Sequence, residues 1–145
     1  MMHVVLARWL LVLLCGAQGV GTLAIDLNRT HAANPLWPRH ARFHLVWQAV
    51  SYALLSLLET ALILAPGPFQ EQRFYLAAAL AAIPMLSCLA AFFFGRMYGG
   101  SIVNPDGISP IRVVIRGAEL HIDLNLAAEV LALFILFGTL VLFNR

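Results

Sequence analysis

Four stretches of nearly pure hydrocarbon, divided by polar segments, organise this chain. They run from about Val4 to Ile25, Phe43 to Ala65, Phe74 to Gly95 and Leu124 to Phe143. A helix needs about 20 mostly apolar residues to cross a bilayer, and each stretch qualifies. The pattern predicts an all-α integral membrane protein, an antiparallel bundle of four transmembrane helices forming a single domain over residues 1–145. Arg8 lies near the end of the first span, where it can snorkel to the interface. Pro66-Gly67-Pro68 stops the second. Small residues at Thr22-Leu23-Ala24 offer a signal-peptidase site, but the first stretch is read as a retained span.

The segment before the last span departs from this periodicity. From Glu119 to Asn125 apolar and polar residues alternate strictly, which suggests extended chain. Arg112 to Arg116 with Gly117 can pair with it as a short hairpin covering the mouth of the bundle. The alternative reading begins the fourth helix by His121. Asn104-Pro105-Asp106-Gly107 is a turn signal in either case.

Composition agrees with a bilayer as the principal partner. The chain is 61% hydrophobic and only 11% charged, against roughly a quarter charged in soluble domains. The formal charge of +2 is too small and dispersed for nucleic-acid binding. Cys15 and Cys88 lie inside apolar stretches without Cys-x-x-Cys spacing, and read as small buried hydrophobes. Small residues four apart, Cys15 with Gly19 or Ala17 with Gly21 on the first span and Ala78 with Ala82 on the third, allow close helix approach. Pro84 is expected to kink the third helix and free the carbonyl of Leu80.

All nine basic residues are arginines, consistent with a GC-rich coding source. Six of them (Arg29, Arg39, Arg42, Arg96, Arg112 and Arg116) flank the loops after the first and third spans. Arg8, Arg73 and Arg145 belong to the opposite side. The positive-inside rule then places both polar loops in the cytoplasm and both termini outside. The expected location is a bacterial inner membrane.

Candidate chemistry concentrates at the arginine-rich end. Three of the five histidines fall between residues 31 and 44, in a polar cassette between the first two spans. His40, His44 and Gln48 are four apart and share one helix face. His121, Asn125 and Glu129 make the same ladder if the fourth helix starts early, and Asp26, His31, Arg96 and Tyr98 emerge at the same end. Glu59 lies about 22 Å beyond His44 along a helix. It reads either as a separate proton or ion step, or as a carboxyl paired with Thr60, Tyr75 or Gln72.

Three readings of the cassette stand side by side. In the first, His31, His40, His44 and His121 ligate a transition metal (iron, zinc or copper), with Glu129, Asp26 or Asp123 completing the shell. In the second, a histidine beside a carboxylate moves protons on a hydrophobic substrate, without metal. In the third, Trp37, Trp47 and the arginines anchor the interface, Pro38 starts the second helix, and the histidines satisfy loop carbonyls. Phosphate loops and nucleophile elbows are absent. Asn28-Arg29-Thr30 is a glycosylation sequon that matters only in a secretory lumen.

The run Asp26-Leu27-Asn28-Arg29-Thr30-His31, followed by Asn34-Pro35, Trp37-Pro38 and His40-Ala41-Arg42-Phe43-His44, resembles a cassette in an uncharacterised family of small four-helix membrane proteins. That resemblance implies the four-span layout and no activity. The layout is also loosely similar to the emopamil-binding sterol-isomerase class, whose acidic and tryptophan positions have no residue-by-residue match in this chain.

The leading functional expectation is a small membrane enzyme of isomerase or oxidoreductase type, acting on a lipid-soluble small molecule through a His-rich pocket at the cytoplasmic mouth by metal-assisted or acid–base chemistry. His44, His121 and Glu129 are the expected catalytic residues. Arg39 and Arg42 would hold an anionic group, with Trp47, Gln48 and Asn125 also contacting substrate. The competing reading is non-catalytic: an accessory subunit or small carrier of a larger membrane complex; a homo-oligomer is compatible with either.

Overall fold

The computed structural model describes residues 1–103 and 108–145, so the turn signal at residues 104–107 lies outside the described residues. Four helices carry most of the chain: α1 (Met2–Asp26), α2 (Arg39–Leu64), α3 (Gln70–Tyr98) and α4 (Leu124–Phe143). All four are long and apolar enough to cross a membrane. The first three extend beyond the hydrocarbon stretches because good helix formers flank them. Arg39 to Arg42 lengthen α2, Gln70 to Arg73 begin α3, and Arg96 to Tyr98 finish it. Pro38 sits one residue outside α2 as its N-cap. Gly99 closes α3 at φ 69°, the left-handed conformation that suits a residue without a Cβ.

Contacts at the helix ends fix the topology. The Arg8 guanidinium donates to Gln70 Oε1 at 3.0 Å and to the carbonyl of Ile63. The start of α1, the end of α2 and the start of α3 therefore meet. The Tyr75 hydroxyl donates to Asn144 Oδ1 at 2.7 Å, bringing the end of α4 to the same place. The helices run alternately up and down. α1 packs on α2 and α4, α3 packs on α2 and α4, and α1 and α3 touch across the diagonal.

The packed core occupies the half of the molecule near Arg8. It is built from Ala7, Leu11, Leu14 and Cys15 of α1, Ile63 of α2, Phe74, Ala77, Ala78, Ala81 and Met85 of α3, and Leu136 of α4. Small side chains let the backbones close. Phe74 and Phe143 stack at 3.9 Å between ring centroids. Ser56 Oγ donates to the carbonyl of Cys15 at 2.6 Å, and Gly19 lies directly against Ser56. The small pair that matters on α1 is thus Cys15 with Gly19, since Gly21 has open space above it.

Between α3 and α4 the extended reading is the one present. β1 (Ile111–Ile115) pairs antiparallel with β2 (Ala118–Ile122). Arg116 at φ 50° and Gly117 at φ 83° make the two-residue turn, both left-handed as a hairpin of right-twisted strands requires. His121 therefore lies opposite Arg112 in a strand and is not a rung of α4. The helix begins one residue after Asp123, whose carboxylate caps it by accepting from the Leu126 N–H at 3.0 Å. Period-two alternation and this cap together outweigh the helical spacing of His121, Asn125 and Glu129.

Candidate functional site

Away from the packed half the four helices line a cavity of about 610 Å³. Such a volume suits a small organic molecule. Apolar residues line much of it, among them Leu14, Ile25, Met85 and Ala132. Each helix also contributes polar groups. On α1 these are Gln18, Thr22 and Asp26, spaced four apart so that successive turns bring them to one face. On α2 they are Gln48 and Tyr52, again four apart, with Gln48 Nε2 donating to the Tyr52 hydroxyl at 3.2 Å. α3 supplies Ser87 and Cys88 just past Pro84, and α4 supplies Asn125 and Glu129.

The charge of this lining is one-sided. Asp26 and Glu129 face the cavity, and no arginine or histidine among the described residues does so. Gln18 adds a further demand. Its Nε2 reaches the carbonyl of Ala81 at 3.4 Å, next to the turn loosened by Pro84, while its Oε1 is buried without a partner. An unpaired buried acceptor costs roughly 1–3 kcal/mol, so a ligand hydroxyl or ammonium reaching Gln18 would relieve it. Together these groups give an otherwise apolar cavity hydrogen-bonding and titratable side chains from all four helices.

Of the residues expected from sequence, Gln48, Asn125 and Glu129 meet in this cavity, with Asp26 opposite. The histidines do not join them. His40 and His44 contact each other, Nε2 to Nε2 at 3.0 Å, on an exposed face of α2. Phe43 and Trp47 pack around His44, with ring centroids 5.7 and 5.9 Å away. His31 pairs its Nδ1 with Thr30 Oγ1 at 2.7 Å and meets the edge of Trp37. His121 stands 3.6 Å from Glu119 Oε1 in the hairpin. No group of three His, Cys, Asp or Glu side chains able to hold a metal forms among the described residues. Arg39, Arg42 and Trp47 lie outside the cavity lining.

Much of the cassette builds the α1–α2 connection. Asn28 Oδ1 accepts from the Thr30 N–H at 2.8 Å, and buried Asn34 accepts from the Leu36 N–H at 3.0 Å. Such Asx turns satisfy backbone donors where no helix can. The Ala32 N–H returns to the carbonyl of Asp26 at 2.9 Å, tying the loop to the end of α1.

Sequence reasoning overlooked Gln18, Thr22, Tyr52 and Ser87, and took Cys88 for a hydrophobe. The available signal was the spacing of Gln18, Thr22 and Asp26 within an otherwise apolar span. Glu59 lies apart from the cavity, fully buried at 0% exposure with neither carboxyl oxygen paired. The expected partner Tyr75 is committed to Asn144, and no hydrogen bond from Thr60 or Gln72 reaches the carboxyl. Against known protein families, curated proteins and solved structures, the chain finds no match.

Proposed function

We propose that this chain is an integral membrane protein that binds a lipid-soluble small molecule in the four-helix cavity and transforms it by acid–base chemistry, as an isomerase or a proton-coupled oxidoreductase does. The observation that supports this reading is the presence of Asp26, Tyr52 and Glu129, from three helices, in the lining of one largely apolar cavity. An ionisable side chain such as Glu129 is costly within an apolar span, which makes it a candidate for a functional task. A substrate dissolved in the bilayer would enter between helices and direct its polar end to these groups. Glu129 and Asp26 serve as the proton donor and acceptor, Tyr52 and Gln48 orient the reacting end, and Gln18 accepts a hydrogen bond from a substrate hydroxyl or ammonium.

This assignment moves the chemistry from the histidines to the carboxylates. The His40–His44 pair brings two donors, short of the three protein ligands a catalytic zinc site commonly uses. With two carboxylates and no cation in the lining, the cavity favours a neutral or positively charged head over an anionic one. The positive-inside rule places this end of the bundle on the cytoplasmic side, with both termini outside.

Native mass spectrometry and extraction of the purified protein test the proposal. A copurifying lipid-soluble molecule, retained by the wild type and lost from Glu129→Gln and Asp26→Asn, is the expected result. Conversion of that molecule by the wild type alone marks an enzyme, whereas binding without conversion marks a carrier. Equal retention by all three proteins would overturn the assignment.

A further inference from the structure

The hairpin register gathers most of its apolar side chains on one face. Ile111 pairs with Ile122, Val113 with Leu120 and Ile115 with Ala118, so six apolar residues share one face. The opposite face carries Arg112 beside His121 and Val114 beside Glu119. There Glu119 Oε1 lies 3.5 Å from the Arg112 guanidinium and 3.6 Å from His121. None of the six apolar residues belongs to the helical core, and Ile111, Ile115, Leu120 and Ile122 are each about half exposed. A lone two-stranded ribbon with a bare apolar face is marginal in water. Something must cover it.

We propose that this face rests on the lipid surface, making the hairpin an interfacial anchor next to the α4 side of the cavity; the idea rests on the membrane reading above. Its occupant follows from continuity. A single residue, Asp123, separates Ile122 from Leu124, the first residue of the apolar helix α4. The hairpin therefore begins at the depth where that span ends. Exposed Phe43, Trp47, Phe93 and Tyr98 occupy the same end of the bundle, the level at which amphipathic rings border a bilayer. With its apolar face down, the hairpin turns Arg112, Glu119 and His121 toward water and headgroups, with Val114 as the one apolar residue on that side, and Arg116 marks its tip. Amphipathic helices at interfaces bury their apolar face about 5–10 Å into the headgroup boundary by the same balance of area and charge.

Spin-label accessibility tests this in the full chain, reconstituted in phosphatidylcholine–phosphatidylglycerol nanodiscs, with Cys15→Ala and Cys88→Ala as background. Single labels go on Leu120→Cys, on His121→Cys and, as a reference on exposed α4, on Phe134→Cys. The label at position 120 is expected to collide several-fold more often with oxygen than with a water-soluble nickel chelate, and the label at position 121 the reverse. Free access of nickel to position 120 overturns the anchor. Protection of position 120 from both probes also overturns it, and points to cover by protein, either a second copy or the chain's own cavity mouth. The label at position 134 keeps the two claims separate. Nickel access there would refute the membrane reading itself, whereas oxygen access there with failure at position 120 refutes only the anchor.

Discussion

Gly19 and Ser56 meet so closely that a Cβ at position 19 would stand 2.6 Å from the Ser56 Cβ and 2.7 Å from its Oγ. The same serine donates to the Cys15 carbonyl, so α1 and α2 are joined at one point by the lack of a side chain and by a hydrogen bond. Gly19→Ala must push the helices apart and should destabilise by about 1–3 kcal/mol, as overpacking does. Gly16→Ala, on the same helix with nothing within 4 Å of the added carbon, should leave the protein as stable or slightly more so. Thermal unfolding of both variants in one detergent provides the comparison. Equal melting temperatures would show that the contact is slack.

Arg8 reaches across three helix ends, to Gln70 and to the carbonyl of Ile63. An ammonium cannot reproduce that forked geometry. Arg8→Lys should therefore lose about 1–2 kcal/mol, the scale of a hydrogen bond to a charged group. Denaturant titration of the folded helices checks this, and a change below the error of the titration would rule the bridge out.

Glu129 makes no hydrogen bond or ion pair with any described residue, although it faces the cavity. Its isosteric replacement should cost function without costing structure. Glu129→Gln is expected to unfold at the wild-type temperature while losing the bound molecule. A melting temperature lowered by several degrees would instead reveal a charged partner, because breaking a buried pair costs about 3–5 kcal/mol.

His40 and His44 are exposed and bonded to each other. His40→Ala and His44→Ala should each shift stability by no more than about 0.5 kcal/mol, as for other surface positions, and leave ligand retention intact. Elemental analysis of the purified protein supplies the decisive alternative. A stoichiometric transition metal that disappears with His44→Ala would move the chemistry from the cavity to this face of α2.

The helices were legible because each apolar stretch is long enough to leave no other reading, and the hairpin because Glu119 to Ile122 alternates. Gln48 of one ladder and Asn125 with Glu129 of the other line the cavity. Their outward extensions to His40, His44 and His121 do not, because α2 carries its first two histidines past the cavity and Asp123 ends the helical period before His121. Gln18 and Thr22 went unread for a different reason. A single polar residue in an apolar span has no identifiable direction until the neighbouring helices are in place. Likewise the burial of Glu59 depends on α1, whose packing on α2 no local pattern announces.

The uneven filling of the bundle has a mechanical outcome. Side chains interlock around Leu11, Phe74 and Leu136, while the ends bearing Gln48 and Asn125 border empty space. The molecule is built like a pair of tongs, gripped firmly at one end and hollow at the other, where the α1–α2 loop and the hairpin join the helices in pairs. Amide exchange should be slow through the gripped turns and faster around Gln48 and Asn125, since opening there separates few packed atoms. On the proposed reading, such opening would admit a guest from the side without unfolding its host.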